Sequence, residues 1–168
     1  MAAKSRNTKR DIDLTGEWAT PPELFNQLDQ KYHFTLDPCA RSFNAKCKKY
    51  FTPKQDGLLQ NWAGETVFCC PPSGRKNLKL WAKKCREESL KPDTTVVALL
   101  PTSMDSQWFH QNIYRQNGVT IEFLPSRVSF YNAAVPSWEN NGTQKNGRSN
   151  RPSMIVIMHG DKTPFAVR

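Results

Sequence analysis

The chain reads as an α/β protein built on a doubly wound, mostly parallel sheet, and three observations predict this. Helical and strand patterns alternate along most of the 168 residues. Thr94 to Leu100 is an almost unbroken β-branched and aliphatic run, as expected of a strand covered on both faces of a parallel sheet. Two further strand patterns stop at prolines, Asp37-Pro38 and Pro71-Pro72, and in open α/β sheets the ligand crevice lies just beyond such carboxyl ends.

The elements follow in order. Residues 1–13 are basic and polar without apolar periodicity and form a terminal arm, leaving residues 14–168 as one domain. Thr20 is placed to cap a helix over Pro22 to Lys31, with proline in its first turn and Glu23 favoured by the helix dipole. Tyr32 to Leu36 is an aromatic and β-branched strand that delivers Asp37 to its end. Ala40 to Lys49 is helical or irregular, Tyr50 to Thr52 a short strand and Gln55-Asp56-Gly57 a turn. Thr66 to Cys70 is a strand that Pro71 terminates, because proline cannot continue a ladder. Leu78, Trp81, Ala82 and Cys85 then recur at helical spacing from Asn77 to Leu90. Beyond the strand at 94–100, Ser106 to Arg115 reads as a helix and Val119 to Leu124 as a strand continued by Val128 to Tyr131. Asn132 to Asn150 is a polar loop, and Met154 to Met158 is the last strand.

Composition narrows the function classes. Hydrophobic residues at 38% and aromatics at 11% suffice for a core. A formal charge of +9 fits a polyanionic partner, nucleic acid foremost, and equally fits a lysine-rich solubilising surface. The five cysteines form no C-x-x-C pair and the three histidines are scattered, so neither a disulfide framework nor a metal site is expected. Cys69 and Cys70 would point to opposite faces of their strand. No apolar run reaches the roughly 20 residues that span a bilayer, and free cysteines suit a reducing compartment, the cytoplasm.

Two strand ends could carry chemistry. Asp37 at the end of the first strand can meet a charged amine, and small Ala40 lets a ligand approach the backbone; Asp-Pro after a strand is also an ordinary turn. The loop Cys70-Pro71-Pro72-Ser73 is stiff, and its Cys70 and Pro71 carbonyls face no following N–H, which suits an amino-group substrate or simply a rigid strand exit.

Read in order, Glu17-Trp18-Ala19-Thr20-Pro21, Thr35 to Ala40, Asp56-Gly57-Leu58 with Trp62, Val67 to Pro72, Leu99-Leu100-Pro101 with Trp108-Phe109-His110, and Arg127 with Phe130 before Pro152-Ser153-Met154 resemble the phage-type, Dam-like DNA adenine-N6 methyltransferase family from about Thr15 to Gly160. The resemblance implies a Rossmann-like fold, S-adenosylmethionine as cofactor, DNA as partner, and a bacterial host cell as setting. It implies that Trp18, Thr20 and Pro21 line the methionine end of the cofactor, that Asp37, Pro38 and Ala40 form the motif after the first strand, and that Asp56, Gly57 and Leu58 lie near adenosine. Cys70, Pro71, Pro72 and Ser73 would be the catalytic loop around a base flipped out of the duplex.

That loop departs from the family pattern of Asn or Asp, two prolines and an aromatic, because Cys70 and Ser73 stand at its outer positions. Orientation of the amine then falls to backbone carbonyls, and stacking to Phe43, Trp108 or Tyr131. Cys70 precedes proline with no activating base in view, so a buried strand cysteine is its ordinary reading rather than a nucleophile. Arg75, Lys76, Arg127, Lys145, Arg148 and Arg151 are the candidate phosphate contacts. Two other readings stay open: a non-catalytic DNA-binding relative, and a methyltransferase acting on cytosine N4 or on RNA.

Overall fold

The computed structural model describes residues 18–72, 74–132, 146–148, 151–160 and 163–168. Its strands are β1 (Trp18–Ala19), β2 (Leu36–Asp37), β3 (Lys49–Tyr50), β4 (Thr66–Cys69), β5 (Thr95–Pro101), β6 (Val119–Phe123), β7 (Ser129–Asn132), β8 (Asn146–Arg148), β9 (Ser153–Met158) and β10 (Ala166–Val167). The helices are α1 (Pro22–Tyr32), α2 (Arg75–Ser89) and α3 (Gln107–Asn112), with a 3-10 turn at Gly57–Leu59.

Seven strands form a mixed sheet in the order β10-β6-β9-β5-β4-β2-β3. Neighbours pair in parallel except at β9, which runs antiparallel between β5 and β6. Side chains alternate between the two faces. Val97, Leu99, Phe68, Ile155 and Ile157 pack with Phe25 and Leu28 of α1. Val96, Ala98, Leu100, Val67, Met154 and Val156 pack with Trp81 and Cys85 of α2 and Trp108 and Phe109 of α3. Each large side chain buried this way stabilises the fold by roughly 1.5–3 kcal/mol. Cys69 joins the α2 face while Cys70 packs against the α1 face, as strand alternation requires. No helix among the described residues is long and apolar enough to cross a membrane.

Several expectations are corrected. Pro21, not Thr20, occupies the N-cap of α1, and no side chain caps the helix. Tyr32 stays helical, because α1 closes only at His33 in the left-handed region, and the Asp29 carboxylate accepts the Phe34 N–H at 2.8 Å. Tyr32 and Phe34 stack on one another, and Phe34 lies against Phe68, so this aromatic run fills the core and only Leu36 and Asp37 join the ladder. Helix α3 stops at Asn112 rather than Arg115, where Tyr114 N–H reverts to the Phe109 carbonyl and Arg115 takes φ 57. Strand β7 does not prolong β6; it pairs with β1 and β8 in a separate three-stranded sheet, so residues 146–148 of the expected loop are a strand. The chain adds β10 after β9. The arm at 1–13 and most of the loop at 132–150 lie outside the described residues.

A buried carboxylate ties α2 to the loop before β4. Glu88 accepts the Trp62 N–H at 2.8 Å, the Lys84 ammonium at 2.6 Å and the Lys91 ammonium at 2.7 Å. Burial pushes its carboxyl upward, but the two ammonium groups and the Trp62 N–H outweigh it and hold the group below its usual value. A depressed carboxyl stabilises above its unfolded value of 4.5, and that contribution is lost as pH falls through the folded value. Glu88→Gln is therefore expected to cost about 2 kcal/mol near neutrality, with the gap to wild type closing below pH 4.5 in denaturant titrations. A gap that persists undiminished in acid would show that packing, not charge, carries the effect.

Candidate active site

A cleft of about 1130 Å³ opens at the carboxyl ends of β2, β4 and β5. One wall is the segment after β2, with Pro38 and Ala40; a second is the 3-10 turn with Asp56, Gly57 and Leu58; a third is the prolyl loop after β4. Trp18, Phe130 and Trp108 bring aromatic surface to it. The volume exceeds the roughly 300–1,000 Å³ of a site for one drug-sized ligand.

The turn is set by local chemistry. Asp56 takes φ 53, and its carboxylate accepts the Leu58 N–H at 3.1 Å. The Gly57 backbone passes so close to the Pro38 carbonyl that an added Cβ would overlap its oxygen and come within 3.1 Å of Trp81. Trp62 donates its indole N–H to the Gly57 carbonyl at 3.0 Å and stacks on Trp81, so the Glu88 anchor supports the turn from behind. The sequence pattern flags Asp56-Gly57 only as a turn; the missed function of the glycine is to let two cleft walls touch.

Asp37 does not line the main cleft. It is buried beside a small cavity of about 20 Å³ that also touches Thr20, Lys46 and Cys70. One carboxylate oxygen accepts the Cys39 N–H at 3.3 Å and the other the Lys46 N–H at 3.1 Å, so the group organises the loop from Pro38 to Lys46. Burial raises its carboxyl to about 6 against the pull of those two N–H donors. Lys46, which the motifs did not flag, donates to the Tyr131 hydroxyl at 3.2 Å and lies over the Phe25 and Tyr131 rings, fastening this loop to β7 and α1. The Thr20 hydroxyl is buried and has no hydrogen-bond partner of ordinary geometry.

Cys70, Pro71 and Pro72 line the cleft, while Ser73 lies outside the described residues. Burial raises the Cys70 thiol to about 12, with Cys39 and Asp37 adding to the rise and Thr20 and Lys46 opposing it. A thiol so held stays mostly protonated at neutral pH, which lowers its nucleophilicity. Of the three stacking candidates Trp108 borders the cleft, Tyr131 is engaged by Lys46, and Phe43 is half exposed outside the cleft lining. Arg75 and Arg151 line the cleft, joined by the unflagged Lys79. Lys76 and Arg127 are exposed away from it, Arg148 is described only as backbone in β8, and Lys145 lies outside the described residues. Pro21 sits at the start of α1, outside the lining. All five cysteines are free thiols, and the described residues contain no cluster of three metal-ligating side chains.

The family model for DNA N-6-adenine-methyltransferase (Dam) matches residues 4–167. The DNA N-6-adenine-methyltransferase of Haemophilus phage HP1 (strain HP1c1) is 29% identical over 167 residues, covering 98% of this chain and 88% of the relative. That of Escherichia phage T1 is 29% identical over 115 residues, covering 67% of this chain and 46% of the relative. The chain thus aligns with about half the length of the second relative and most of the first.

Two outcomes test this geometry. Gly57→Ala forces two walls apart and is expected to cost about 1–3 kcal/mol in the denaturation midpoint; an unchanged midpoint would mean that the turn yields freely. Asp37 is expected to titrate near 6 by carboxyl carbon resonances. Its folded value lies above 3.8, so its contribution to stability is lost as pH rises through about 6, and wild type loses ground to Asp37→Asn over that range. A midpoint near 3.8 would mean the carboxylate is solvated.

Proposed function

Because residues 4–167 match its model, the chain belongs to the DNA N-6-adenine-methyltransferase (Dam) family, whose members methylate adenine in DNA, and we propose that its cleft joins S-adenosylmethionine to a target adenine. The observation that carries the reading is the meeting, in one cavity, of the loop after β2, the Asp56 to Leu58 turn and the prolyl loop after β4. These are the three segments that the family pattern assigns to cofactor and base.

The residues present fit such a cofactor. Thr20 keeps a buried hydroxyl without a partner of ordinary geometry in the small cavity beside the cleft, where Trp18 and Cys70 line both spaces, and a group that costs free energy while unsatisfied gains by meeting a polar ligand. Trp18, Thr20 and Pro21 would hold the methionine end, Pro38 and Ala40 the adjoining backbone edge, with Asp37 fixing that loop from beneath, and Asp56, Gly57 and Leu58 the adenosine. When bound, S-adenosylmethionine supplies a methyl group on a sulfonium, ready for transfer to a nucleophile.

The remaining work belongs to the chain. Pro71 and Pro72 hold the loop stiff, and a backbone carbonyl of that loop, at Cys70 or Pro71, accepts one hydrogen bond from the N6 amine, which begins to fix the direction of its lone pair. Trp108, buried in the core, borders the cleft where a base withdrawn from the duplex would enter. Little acid-base machinery is needed, since orientation supplies much of the rate in such a transfer. Arg75 and Arg151 in the cleft, with Lys76, Arg127, Lys145 and Arg148, neutralise phosphates. We read the sheet as the doubly wound, Rossmann-like methyltransferase type acting in the cytoplasm of a phage-infected cell.

The test is transfer of labelled methyl from S-adenosylmethionine to unmodified single-stranded and duplex DNA, with RNA alongside and mass-spectrometric identification of the nucleoside. N6-methyladenine from DNA is expected. A methylated cytosine or RNA product would redirect the substrate, and cofactor and DNA binding without turnover would make the protein a non-catalytic member of its family.

A further inference from the structure

We propose that the Asp105 carboxylate is a catalytic residue that accepts a hydrogen bond from the N6 amine of the target adenine, in place of the side-chain acceptor that Cys70 does not provide. The proposal rests on the adenine-methylating reading of the cleft. A protonated thiol is a weak acceptor, so among its described residues the prolyl loop offers the amine backbone oxygens alone. The amine carries two hydrogens, and holding both fixes the lone pair more firmly than holding one.

Asp105 is the side chain suited to the second hydrogen. Among the described residues, the carboxylates bordering the cleft are Asp56 and Asp105. Asp56 is committed to the Leu58 N–H, whereas Asp105 is exposed and accepts no hydrogen bond from a described residue. An uncommitted carboxylate in a cleft shared with Arg75, Lys79 and Arg151 opposes phosphate binding, which is an electrostatic cost unless it meets a neutral donor such as an exocyclic amine.

Placement supports the role. β4 and β5 are parallel neighbours with Cys69 opposite Ala98, so the loops that follow them leave the same end of the sheet, that of β5 after three further residues of strand to Pro101. The loop carrying Asp105 is braced beyond what an exposed connection requires. Thr102 N–H donates to the Pro152 carbonyl at 2.9 Å, Arg151 to the Ser103 hydroxyl at 3.1 Å, and the Ser106 hydroxyl to the Ser103 carbonyl at 2.6 Å. The His110 ring stands 2.8 Å from the Met104 carbonyl oxygen. An acceptor on a fixed loop needs no reorganisation when charge develops on the amine. In the transfer, the N6 lone pair forms the new C–N bond as the C–S pair returns to sulfur, and the proton leaving N6 passes to the Asp105 carboxylate and on to solvent.

Single-turnover methylation of duplex DNA by the full chain tests this, with S-adenosylhomocysteine affinity measured in parallel by calorimetry. Asp105→Ala is expected to lower the transfer rate about 100-fold while leaving that affinity within about threefold. Asp105→Asn, which keeps the shape and an acceptor oxygen but takes no proton, is expected to fall about tenfold at an unchanged melting temperature. In a Cys70→Asn background, where an amide oxygen is restored beside Pro71, the cost of Asp105→Ala is expected to shrink to about threefold. A wild-type rate in Asp105→Ala, an equal loss in both backgrounds, or weakened S-adenosylhomocysteine binding would overturn the assignment. A wild-type protein that binds cofactor and DNA but makes no N6-methyladenine would overturn the underlying reading instead.

Discussion

The sheet depends on one strand running against its neighbours. All six residues of β9 are buried, and its backbone fills the slot between β5 and β6 with antiparallel bonds to both. Without it the ladder would be divided, and the unpaired N–H and C=O groups of two apolar strands would lie open in the core, each costing free energy comparable to a lost hydrogen bond. The strand also decides what reaches the cleft. Because it runs backwards, its beginning rather than its end lies beside the carboxyl ends of β4 and β5, so Arg151 and Ser153 arrive at the site from the far end of the chain. A rule that looks only past strand ends would not find them.

Around this frame the cleft is held by contacts between segments distant in sequence. Lys46 joins the loop after β2 to Tyr131 in β7, and β7 in turn pairs with β1, which presents Trp18 to the cavity. Gly57 meets Pro38 backbone to backbone while Trp62 and Glu88 support it from α2. Each wall therefore leans on another wall, and a change at one is transmitted through packed atoms rather than absorbed by a loose loop.

Long periodic elements were legible in the sequence because their signal is repeated along the segment. The unbroken apolar runs over β4, β5 and β9 follow from burial on both faces of the sheet, and the helical spacing of Leu78, Trp81, Ala82 and Cys85 from one face meeting the core. Three short elements were not. β1, β8 and β10 each span two or three residues, too few for a period, and exist because a partner strand lies alongside. Tyr32 and Phe34 have the composition of a strand, yet their rings serve the core from a helix end and a connecting turn. The site was legible as segments: the motifs after β2 and β4 and the Asp56 turn do converge. Individual roles were less so, since nothing local distinguishes a carboxylate that meets a ligand from one that, like Asp37, holds a backbone loop.

Asp37 and Cys70 show how a site can keep its shape while its side chains change chemistry. Asp37 is held by two backbone N–H groups, so its effect on the cleft is exerted through the loop it organises. Cys70 stands at the end of β4, where the ladder and two prolines fix the backbone whatever side chain is attached. A transfer that relies on orientation draws mainly on that backbone, through carbonyls present with asparagine, aspartate or cysteine alike. What the side chain alone can add is a second acceptor, and an acceptor need not come from the same strand. A loop on the neighbouring strand, braced by Arg151 and Pro152 from β9's approach, can supply it at the same end of the sheet.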